Sequence, residues 1–140
     1  VILKDSAWYH YFYNAASMVH RYDPLMTEGI RALINAVSHV FADKEIPNGQ
    51  EQGEKETVYL AMLAVKNELR GAQNGYAERI REICEEWMIL EKLEGYKIHP
   101  QDRANRILAW IMRKPDRPHC RVGSVMFLLY DKWMSMRGID

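Results

Sequence analysis

The stretch EKETVYLAMLAVKNELRGAQNGYAERIREICEEWMILEKLEG, residues 54–95, decides the fold. Val58, Met62, Val65 and Leu69 recur at intervals of three and four, and Tyr59 and Leu63 widen that stripe, which is the spacing of an amphipathic helix from about Glu54 to Arg70. Gly71 closes it. Beyond the short turn through Asn74-Gly75, a second helical pattern carries Tyr76, Ile80, Ile83, Cys84, Trp87, Leu90 and Leu93 inward. Glu78, Glu82, Glu85, Glu86 and Glu91 then face largely outward, and Gly95 is the C-terminal stop. Helices joined by so short a turn pack antiparallel, so residues 54–95 form a helical hairpin.

Working outward, Asp43 to Gly53 gathers Pro47, Asn48, Gly49 and Gly53 among polar residues, and reads as a mobile loop over 43–53. Before it, Pro24 opens a helix that ends near Ala42, with Ile30, Leu33, Ile34, Val37 and Phe41 on one face. Ser6 to Tyr22 is a further helix, stopped at Asp23-Pro24 because the residue before a proline is pushed out of the helical region. Its run Trp8, Tyr9, His10, Tyr11, Phe12 and Tyr13 is too dense in rings for one helical stripe. Some of them reach the surface as terminal packing or as a partner contact. On the other side, Pro100 or Asp102 starts a helix with Ala104, Ile107, Leu108 and Ile111 inward, which Pro115 and Pro118 end. Ser124 caps a last helix, from Val125 to about Met136.

The expected architecture is therefore all-α: an irregular bundle of five or six helices around an antiparallel helical hairpin, with residues 1–140 as a single domain. At 140 residues and 48% hydrophobic composition the chain has material for one core. No apolar run approaches a membrane span. Neither a leader pattern nor a disulfide framework is visible, and the two cysteines read as reduced thiols of a cytoplasmic protein.

The formal net charge is zero, yet residues 43–94 carry 12 Asp and Glu against 7 Lys and Arg, while residues 97–121 carry 7 Lys and Arg against 2 Asp. Two surfaces of opposite sign follow, and the basic one is suited to meet a polyanion or to dock on the acidic one. Lys97, Arg103, Arg106, Arg113, Lys114, Arg117 and Arg121 have the composition of a phosphate-binding surface. On a helix starting near Pro100, Arg103, Arg106 and Arg113 share one side. Trp110 and Tyr96 are close enough in sequence to stack on an exposed base. The plainer alternative is that these are solvated charges or partners of the acidic helix. The segment from Pro100 to Met136 invites comparison with a helix-turn-helix, but a gap of about a dozen residues holding two prolines does not fit the three or four of that motif.

Catalytic and metal chemistry finds no support in spacing. No two of the five histidines lie three or four apart, and no Glu-x-x-His accompanies the glutamates, so neither metal nor cofactor is expected. Cys120, beside His119 and between Arg117 and Arg121, reads as a lone surface thiol, because sequence neighbours seldom present their side chains to each other. Phosphate loops and nucleophile elbows are absent. The reading is a non-catalytic binding or regulatory module that contacts nucleic acid, or a nucleic-acid-handling protein, through residues 97–121. An alternative is an adaptor or inhibitor whose acidic helix, through Glu78, Glu82 and Glu85, imitates a phosphate backbone. A third is an enzyme with a cross-fold site. Val125 to Tyr130 are six successive apolar or aromatic residues, so the last helix is either central or paired with a second copy. Trp133 and Met134 incline the reading towards a homodimer.

Overall fold

The computed structural model describes residues 22–42 and 46–136, and the aromatic run of the first expected helix lies outside them. Six helices are present among the described residues: α1 (Met26–Phe41), α2 (Gly49–Gly71), α3 (Tyr76–Glu86), α4 (Ile89–Leu93), α5 (Arg103–Arg113) and α6 (Arg117–Met136). No strand accompanies them. The fold is an all-α bundle, and its axis is α2, which packs against every other helix. From Thr57 to Leu69 only Tyr59 and Lys66 escape full burial. A helix apolar on all sides has neighbours on all sides. The stripe expected on α2 is corrected at both margins: Leu60, Ala61 and Ala64 are buried as well, whereas Tyr59, expected to widen it, is exposed.

The expected loop over 43–53 is corrected: α2 begins at Gly49, and Gly49 and Gly53 lie inside its first turns. Their absent side chains let α1 approach closely. A β-carbon on Gly49 would stand 2.9 Å from the Phe41 carbonyl oxygen, and one on Gly53 the same distance from the Phe41 β-carbon. The expected single helix from Tyr76 to Leu93 is also corrected. It breaks at Trp87-Met88, where Met88 takes a left-handed conformation with φ 49°. The break shifts the helical register, so Leu90 turns outward while Ile89 and Leu93 go into the core. Trp87 is buried, as its position on the inward stripe requires.

The last helix starts at Arg117 rather than Val125. Asp116 accepts the backbone N–H of His119 at 2.8 Å, as an N-cap does, and Pro118 sits in the first turn, where no N–H is needed. Ser124 is no cap. It is buried and its hydroxyl donates to the Leu69 carbonyl at 2.8 Å, tying α6 to α2. The connection between α5 and α6 is thus residues 114–116, within the length of a helix-turn-helix turn, and the earlier objection from gap length falls. Nor is α6 central. Phe127 is buried, but Val125, Met126, Leu128 and Leu129 are exposed. Arg70 of α2 lies over the Phe127 ring at 4.7 Å and donates to Asp131 at 2.9 Å.

Candidate binding groove

α5 places its polar residues as its sequence dictates. Asp102 caps it by accepting the Asn105 N–H at 3.1 Å. Leu108, Ala109, Ile111 and Met112 then turn into the core. Arg103, Arg106 and Arg113 are left on the open side, together with Trp110, which is 42% exposed. Across from them runs α6, held close because Gly123 faces Ile111 with no room for a β-carbon. Between the two helices lies a groove of about 760 Å³, lined by Arg103, Arg106, Trp110 and Arg113 with Ile98, Ile107, Ala109, Val122 and Met126.

Four of the eight expected nucleic-acid-binding residues therefore meet in one concave surface. Arg106 donates to the Pro100 carbonyl at 3.1 Å. None of the three groove arginines is ion-paired with a described carboxylate. The tilted Trp110 ring packs on His119 with centroids 4.6 Å apart, which fixes its orientation and leaves part of it facing the groove. The other four stand elsewhere. Lys97 and Lys114 are exposed but do not line the groove, and Arg117 and Arg121 line a separate depression beside Glu78. Arg117 is bound to Glu78 at 2.6 Å. That carboxyl is held below the usual range by its own backbone N–H and by the Arg117 side chain. Tyr96 is partly buried against the core rather than offered for stacking.

The acidic helix is partly engaged within the molecule. Besides Glu78, Glu82 and Glu86 reach Arg31 of α1 at 3.5 and 3.6 Å, so of the three expected mimic residues only Glu85 is exposed and without a described ion pair. Trp133 is exposed and packs on Tyr130 at 6.2 Å, and Met134 is half-buried. Cys120 is corrected from a surface thiol to a buried one. Burial pushes it up to about 11, against the acidity a reactive thiolate needs, and Cys84, also buried, is pushed to about 12. Among the described residues no cluster of three metal-ligating side chains occurs. No helix described is long and apolar enough to cross a membrane.

Val122 and Met126, two of the five aliphatic residues along the groove, gain their place in it only with the true start of α6. Once Asp116 is read as the cap, Val122 and Met126 fall four apart on one face of α6. Comparison of the chain with protein-family models, curated proteins and solved structures finds no match.

Proposed function

We propose that this protein is a non-catalytic binding module that holds nucleic acid in the groove between α5 and α6. One observation carries the reading: Arg103, Arg106 and Arg113, none ion-paired with a described carboxylate, line the same groove as a half-exposed Trp110. Guanidinium groups are suited to phosphate, and an indole face stacks on any base. The apolar floor favours an unstacked strand over a duplex, whose outer surface offers only phosphate and sugar to a groove of this size. Two buried free thiols are consistent with a cytoplasmic setting.

Binding of short single-stranded and duplex oligonucleotides, followed by anisotropy across a salt series, tests this. Changing Arg103, Arg106 and Arg113 together to Ala should flatten the salt dependence by about 0.7 per lost contact on single strands. Trp110 fluorescence should be quenched only by the single strand. Equal binding by parent and triple variant, or none by either, overturns the proposal. A second reading, association of two copies, is favoured by the outward Val125 and Leu129 on α6, which a solitary molecule leaves in water.

A further inference from the structure

We infer that the arginine-rimmed groove also receives a second copy of this chain, which enters by the acidic corner where α3 breaks into α4. The inference rests on the association reading only in that two copies meet, and it moves the contact from the outward face of α6 to the groove and the corner. Charge complementarity carries it. At the corner, Glu85, Glu91 and Glu94 are exposed, and none is ion-paired with a described cation. Among them Met88 projects, 59% exposed, and Leu90 is exposed beside it. A large apolar side chain in water, on a left-handed backbone that only glycine adopts freely, has no role in this molecule's own core. The corner is nevertheless fixed in shape. Trp87 before Met88 and Ile89 after it are buried, and the Lys92 ammonium donates to the Trp87 carbonyl at 2.6 Å, closing the end of α3. Little ordering is left for a partner to impose.

The groove is the corner's counterpart in both charge and polarity, with arginines on the rim and Ile107, Val122 and Met126 in the floor. No residue from 78 to 94 lines it, so corner and groove are separate surfaces of one molecule. Contact between two unlike patches propagates head to tail. It also accounts for segregated charge on a molecule whose total is zero: each copy is neutral and attracts the next only in one orientation.

Sedimentation equilibrium of the full chain at high micromolar concentration tests the contact, with one variant carrying Glu85→Lys and Glu91→Lys and another carrying Arg106→Glu and Arg113→Glu. All four positions are exposed, so each variant should keep the parent's helical content. The parent should exceed monomer mass at about 0.1 M salt and approach it at about 1 M, where the screening length falls from about 10 to 3 Å. Each variant alone should associate at least tenfold more weakly. Mixed in equal amounts, they should associate again and alternate head to tail, because the native corner of one variant fits the native groove of the other and the two reversed surfaces are again opposite in charge. A parent that stays monomeric overturns both this contact and the association reading. A parent that associates, with Leu129→Glu abolishing association and both charge-reversal variants retaining it, overturns the corner-in-groove contact and leaves pairing through α6 standing. A mixture that fails to pair overturns the contact as well.

Discussion

Glu68 is the residue with most at stake in this core, since its side chain is 2% exposed and its charge is answered by Arg79, whose Nε lies 2.7 Å away. Arg79 reaches from α3 and also donates to the Asn74 carbonyl at 2.7 Å, so one guanidinium secures the α2–α3 turn and neutralises the carboxylate beneath it. Removing one partner of a buried pair strands the other, at a cost of about 3–5 kcal/mol when the site is fully dry. Because the Arg79 side chain is partly exposed, Arg79→Ala should fall near the lower end, on the order of 3 kcal/mol in urea unfolding. Glu68→Gln with Arg79 intact should cost less, since the amide can still accept from the guanidinium. A loss under about 1 kcal/mol for Arg79→Ala would show that water already solvates the carboxylate. Neither residue was singled out from sequence. Glu68 sits among Lys66, Asn67 and Arg70, a polar run indistinguishable from a solvated face until its burial is seen.

Helices α5 and α6 are brought together by a missing side chain. Gly123 faces the Ile111 side chain, and the absent β-carbon sets the closeness of the two helices and hence the width of the groove above them. Gly123→Ala should destabilise by about 1–3 kcal/mol through overpacking, beyond the small gain that alanine brings to a helix interior. Ile111→Val in the same chain should recover part of that loss, so a double-mutant cycle in thermal unfolding reads a favourable coupling between the two positions. Additive effects would mean that the helices separate freely instead. The elements themselves were largely legible. Apolar residues at three and four found α1, α2, α3 and α5, and of the two starts the sequence offered for α5, Pro100 and Asp102, Asp102 is the cap. The differences at both ends of the bundle share a physical origin: glycine and proline look like punctuation in a sequence and need not be so in a helix. Gly49 and Gly53 are helical residues where α1 comes close, Pro118 is tolerated in a first turn, and the true break, at Met88, carries no breaker at all. Its cause is tertiary, in the need to bury both Trp87 and Ile89.

Over the whole molecule, stability is set by α2. It lies against all five other described helices, so its amides cannot open without disturbing every one of them. Native-state hydrogen exchange should find the slowest amides between Val58 and Leu69, at or near the global unfolding free energy, with α4 and the last turns of α6 opening first. Faster exchange in α2 than in α5 would mean that the bundle does not unfold around a single axis. The groove was half legible at this scale: the sequence placed three arginines on one side of α5 and offered Trp110 only by its nearness in sequence, while the wall opposite depended on where α6 begins. The position of α2 in the chain has a further consequence, which belongs to the clock of synthesis. The Leu69 carbonyl and Arg70 meet Ser124 and Asp131, residues made 55 and 61 positions later. At about 5–20 residues per second those groups wait about 3–12 s for their partners, with the face that will receive α6 bare to the solvent. Both α1 and α2 are complete once Gly71 is made and pack on each other in the finished fold, so the nascent chain can already hold half of the bundle with one side open. A pause in translation before Phe127 emerges would prolong that open state, when this chain is most at risk of capture by its neighbours or by a chaperone.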